Sequence, residues 1–88
     1  MSSNRITMTQ LNATVDLINQ VTQSPETPWT DGTANIGNYH VSQAYGGCSL
    51  HRMSNAGGGV RDVFSCGHVP KRDLHARLWA YYYGIHAV

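Results

Sequence analysis

Two glycine-rich breaks, Ala44-Tyr45-Gly46-Gly47 and Asn55-Ala56-Gly57-Gly58-Gly59, cut the middle of this chain into runs too short for anything but strands. Segments of this length and composition close hairpins. Three strands are therefore expected over 36–43, 48–54 and 60–66, paired antiparallel in chain order. Pairing Cys48 with Cys66 across the second break would set Leu50 opposite Phe64 and Arg52 opposite Asp62, a hydrophobic pair and an ion pair in one register. The first break would then bring Val41 opposite Leu50. Because side chains alternate along a strand, Val41, Leu50, Phe64 and Tyr39 share the buried face, and His40, Ser42, His51 and Met53 the outward one.

Helical patterns flank these strands. Thr7 with Gln10 three residues later forms a capping box, and Ile6 and Leu11 occupy the hydrophobic-staple positions. Met8, Leu11, Val15 and Ile18 follow at helical spacing, with Leu17 and Val21 beside them, so the first helix is expected over 8–23, ended by Ser24-Pro25. Pro28 and Asp31-Gly32 make the next stretch a turn-rich connection whose Trp29 is expected to plug the edge of the core. Pro70 suits the first position of a second helix, expected over 70–86, where Leu74, Leu78, Tyr81 and Ile85 recur at helical spacing. The order helix, three strands, helix makes residues 1–88 a single α+β domain. It is an αβββα two-layer sandwich, with both helices on one face of a three-stranded antiparallel sheet.

Composition narrows the function classes. Of 88 residues, 41% are hydrophobic and 12% charged, which excludes disordered and highly basic chains. No run is long and apolar enough for a membrane span, and the polar opening MSSNRITMTQ is unlike a signal peptide, so a cytoplasmic protein is expected. The size and the lack of cofactor fingerprints or a dense acid/base cluster argue against an enzyme and against a resident cofactor. The net charge of +1 is uneven: residues 1–50 carry −2, and the remainder carries +3 with four of the five histidines. An anionic partner would be met in that second half.

Cys48, Cys66, His51 and His68 are the residue types of a zinc site, but their spacing matches no closed zinc pattern. Cys48, Cys66 and His68 could converge in the register above, whereas His51 lies on the other face. A pair of reduced, half-buried thiols without metal is the expectation, with a metal- or redox-responsive domain as one alternative. The glycines Gly57-Gly58-Gly59 precede a strand and lack the lysine of a phosphate loop, which leaves a flexible turn. Lys71 and Arg72 stand in the first turn of the second helix, where the macrodipole favours anions over cations. Phosphate binding by this turn with His68, Arg77 and Arg61 would account for them.

On a helical wheel Leu74, Leu78, Tyr81 and Ile85 fill one narrow arc, which suffices to cover a sheet. His75, Trp79, Tyr82, Tyr83 and His86 widen the apolar and aromatic sector to roughly 200°, about twice what the core requires. Either the first helix covers this excess or it is a contact surface for another protein or a second copy of the chain.

Two resemblances add expectations. The element order, with Gly67-His68-Val69-Pro70-Lys71-Arg72, resembles the double-stranded-RNA-binding domain, whose second helix opens with basic residues across phosphates. Its alanine-rich second helix is here replaced by Trp79-Ala80-Tyr81-Tyr82-Tyr83. The segments Ala44-Tyr45-Gly46-Gly47, Leu50-His51-Arg52-Met53-Ser54-Asn55, Gly57-Gly58-Gly59-Val60-Arg61-Asp62-Val63 and Lys71-Arg72-Asp73-Leu74 look like small uncharacterised proteins of phages and mobile elements. That likeness covers about half the chain. It implies a setting in which small folded proteins bind host machinery, including as anti-CRISPR or other anti-defence inhibitors. The sequence thus reads as a non-catalytic module acting by contact with a host protein through the second helix, with nucleic-acid binding through the basic residues as the alternative.

Overall fold

The computed structural model describes residues 5–86. The chain opens with α1 (Met8–Val21), entered through the expected capping box. Gln10 N–H donates to Thr7 Oγ1 at 3.2 Å and Thr7 N–H to Gln10 Oε1 at 2.8 Å, satisfying two otherwise orphaned donors. Two-residue strands β1 (Trp29–Thr30) and β2 (Thr33–Ala34) then form a small hairpin of their own. This corrects the expected loop. The hairpin is tied by Asn35, whose side-chain amide donates to Thr27 O and to Thr30 Oγ1, both at 2.9 Å. Trp29 does not plug the core edge; it is 48% exposed, lying against Gly58.

The main sheet is β3 (Tyr39–Ala44), β4 (Gly47–Met53) and β5 (Val60–Asp62), antiparallel in that order. The first hairpin keeps the expected register, with Val41 opposite Leu50. The second is displaced by one residue: His51 faces Asp62, Arg52 faces Arg61 and Met53 faces Val60. β5 stops at Asp62 because the Asp62 carboxylate turns the chain, accepting from Phe64 and Ser65 N–H through Oδ1 and from Gly67 N–H through Oδ2. The backbone returns to β4 only at Val69, which exchanges two hydrogen bonds with Cys48. Cys48 and Cys66 are therefore not paired, and Arg52 does not meet Asp62. The glycine loop is held rather than loose, since Asn55 Oδ1 accepts from both Gly57 and Gly59 N–H.

The last element, α2 (Lys71–His86), starts one residue beyond the expected Pro70, whose carbonyl accepts from Leu74 N–H. Both helices cover one face of the sheet. Leu11, Val15 and Ile18 of α1 and Leu74 and Leu78 of α2 enclose Tyr39, Cys48 and Leu50 in a single core. Val41 packs at its margin on the expected face; Phe64 also packs there, but beyond the end of β5 and not opposite Leu50, whose carbonyl accepts from Val63 N–H instead, and Met53, expected outward, is buried. Between the layers Tyr39 and Tyr81 share a hydroxyl hydrogen bond of 2.7 Å. No helix among the described residues is long and apolar enough to cross a membrane.

Candidate functional site

The second helix carries an aromatic cluster that only partly belongs to the core. Leu74 and Leu78 are fully buried, and Tyr81, Tyr82 and Ile85 pack against the core. Trp79 takes no part in that packing. Its indole N–H donates to His75 Nε2 at 3.0 Å, one turn earlier. Its ring stacks on Tyr83 (centroids 5.5 Å apart, planes 30° apart) and meets Tyr82 edge-on at 5.6 Å. Helical spacing of three and four residues brings these side chains together. Tyr83 is 62% exposed, so the outer wall of the cluster faces solvent. Of the five residues expected there, His75, Trp79 and Tyr83 form the platform, Tyr83 exposed and His75 and Trp79 half-buried beside it, and Tyr82 joins it to the core. His86 ends the helix, and its side chain lies outside the described residues.

The five residues expected to bind anions do not form one site. Lys71 and Arg72 line a shallow cleft with Arg5, Ile6, Gly46 and Pro70. The sequence reading missed Arg5, and also the neighbouring hairpin tip, where Tyr45 is 98% exposed. Arg61 lines a different cleft, with Arg52. Arg77 is exposed on α2 and lines neither. His68 is drawn to the sheet face away from the helices, where its Nε2 lies 3.2 Å from Ser42 Oγ.

That open face carries a chain of imidazoles. His40 and His51 stand opposite one another on β3 and β4 with ring centroids 5.9 Å apart; His51 and His68 are separated by the same distance, and Tyr45 closes on His68. Burial and the neighbouring His51 hold His40 below its usual 6.5. Burial lowers His51 as well, assisted by His68 and opposed by the Asp62 carboxylate. The alternation of β3 and β4 placed His40, Ser42 and His51 on this face from sequence. His68 joins them through the chain's return at Val69, which no local pattern announces.

The thiols are likewise separated in environment. Cys48 is buried in the core, its Sγ 4.0 Å from Met8 Sδ, whereas Cys66 is half-buried and points its thiol at Gly67 O. Cys48 thus belongs to the helix-covered side and His68 to the open face, so the convergence expected of Cys48, Cys66 and His68 does not occur. Among the described residues no three His, Cys, Asp or Glu side chains gather as metal ligands. Comparison with protein-family models, with curated proteins and with solved structures finds no match for this chain.

Proposed function

We propose that this chain is a small non-catalytic binding module that acts by protein–protein contact, with the aromatic platform of α2 as its contact surface. The observation that supports this is Trp79, which rests on His75, Tyr82 and Tyr83 of its own helix and not on the core. Such an indole is already ordered, so docking a partner on it sacrifices little side-chain freedom. Tryptophan and tyrosine are also the residues on which interface energy concentrates. Arg72 precedes Trp79 by two turns on the same side of the helix, which favours a partner with an apolar pocket and an acidic rim. In the phage or mobile-element setting implied by the sequence resemblance, that partner is a host protein, and blocking a host defence complex is the corresponding role.

Affinity capture from nuclease-treated host lysate, followed by titration of the purified captured protein, tests this reading. Trp79→Ala and Tyr83→Ala should each weaken that complex by about 30-fold or more while changing folding stability by no more than about 1 kcal/mol. Unchanged affinity in both variants, or capture that nuclease abolishes, would remove the platform from consideration.

A second reading, nucleic-acid binding, is favoured by the fully exposed Tyr45 beside the cleft of Arg5, Lys71 and Arg72. A stacking aromatic next to phosphate-reaching cations is the combination that duplex ends and single strands require. Titration with duplex RNA and DNA at two salt concentrations distinguishes it. Affinity that falls steeply with salt and is lost in Lys71→Glu/Arg72→Glu supports this second reading and sinks the first.

A further inference from the structure

We propose that the cleft between the end of β4 and the start of β5 binds an organic oxyanion, a carboxylate or phosphate group carried on a small apolar body. This site is independent of the aromatic platform. Arg52 and Arg61 stand directly opposite one another on neighbouring strands, an arrangement that is unfavourable for like charges unless something neutralises them. Among the described residues neither meets a carboxylate. Both line a cleft of about 260 Å³ with Ile36, Gly37, Met53 and Ser54.

Arg52 is already in position. Its guanidinium lies 4.7 Å above the Tyr39 ring, and its Nε–H donates to Gly37 O at 3.1 Å. These contacts fix the plane of the fork and leave the two terminal nitrogens as donors, the groups with which arginine grips carboxylate or phosphate oxygens. Gly37 adopts φ +96°, a conformation costly for other residues, and lies under that fork; a Cβ there would stand 3.7 Å from Arg52 Nη2. Arg61, exposed on the edge strand, supplies the second cation from the solvent side. Ile36 is 60% exposed at the mouth and Met53 is buried at the wall, so the cleft offers apolar contact beside its charge. Two cations and a short apolar wall in so small a space match a ligand of single-ring dimensions, below the usual range of drug-sized pockets.

Amide chemical shifts of the whole chain, followed by NMR at low ionic strength, provide the test, with phenyl phosphate, benzoate, inorganic phosphate and neutral benzyl alcohol as probes. Phenyl phosphate or benzoate should give saturable shifts at Gly37, Ser54 and Arg61. Their affinity should fall at least about tenfold in Arg61→Gln, whose side chain makes no contact the fold needs, and stay unchanged in Arg77→Gln. Arg52→Lys, which keeps the charge but loses the fork, should also weaken binding. Inorganic phosphate binding as tightly as phenyl phosphate would overturn the apolar half of the proposal, and equal binding of benzyl alcohol its anionic half. No saturable shift with any probe, or shifts that Arg61→Gln leaves intact, would overturn it entirely.

Discussion

The Asp62 carboxylate accepts three backbone N–H groups, from Phe64, Ser65 and Gly67, the last at 2.8 Å. Burial pushes its pKa up, but the Gly67 N–H, the nearby Ser49 hydroxyl and the N–H groups of Phe64 and Ser65 outweigh this and hold it below the ordinary 3.8. The Ser49 hydroxyl is itself fully buried and makes no hydrogen bond of ordinary geometry among the described residues, so its influence on Asp62 is that of a nearby dipole. One side chain thereby ends a strand, lets Ser65 and Gly67 adopt positive φ, and sends the chain out to return at Val69. Asp62→Ala should strip three donors of their acceptor and lower stability by about 1 to 3 kcal/mol in urea unfolding. A depressed carboxyl stabilises the fold above its unfolded pKa and loses that contribution as pH falls through its folded value. The variant should accordingly lack the part of acid destabilisation that the parent shows below 3.8. A variant within about 0.5 kcal/mol of the parent would mean that the turn is held by something other than this carboxylate.

Asn19 joins α1 to the sheet in both directions: Tyr39 N–H donates to its Oδ1 at 2.9 Å, and its Nδ2 donates to Tyr39 O at 3.0 Å. The edge strand β3 therefore has its outward backbone groups satisfied at this point by a buried side chain instead of by another strand. Asn19→Ala should cost about 2 kcal/mol and selectively speed exchange of the Tyr39 amide, whereas equal acceleration across β3 would indicate only general loosening. This long-range clamp has no sequence signature, unlike the elements it connects. The helices were legible because capping boxes and apolar spacing are local, and the β3–β4 register because a tight turn fixes it. The β4–β5 register was not legible: an apparent Arg52–Asp62 pair suggested one alignment, while Asp62 was committed to the backbone two to five residues on. The small β1–β2 hairpin escaped because two-residue strands show no periodicity. In the candidate site, the wheel set His75, Trp79, Tyr82, Tyr83 and His86 apart together but could not show that Tyr82 turns toward the core, and it said nothing of Tyr45 or Arg5, which only the tertiary fold brings beside Lys71.

Across the whole molecule, groups on both faces of the sheet set the pH range in which the fold is most stable. On the open face His40 and His51 are held below 6.5, chiefly by burial, so the unfolded chain takes up protons first as pH falls. Stability is therefore expected to be level above about 7 and to decline once pH drops below 6.5. On the helix-covered face Tyr39 is pushed up to about 12, mainly by burial and then by its hydrogen bond to Tyr81, with Arg52 and Arg61 opposing. A raised phenol pKa contributes stability that is complete below the unfolded value of 10.0 and is lost as pH rises from there toward 12. The expected profile is a plateau between about pH 7 and 10, bounded by histidines on one side and a tyrosine on the other. Urea midpoints measured from pH 4 to 11 would trace it. Replacing His40 and His51 together by Gln should flatten the limb just below 6.5 without moving the alkaline limb, and Tyr39→Phe should do the reverse, at the cost of the bond to Tyr81. Stability unchanged between pH 7.5 and 5 in the parent would show that His40 and His51 remain as free to protonate as in the unfolded chain, and that their face is open to water to a degree the close approach of the two rings does not suggest.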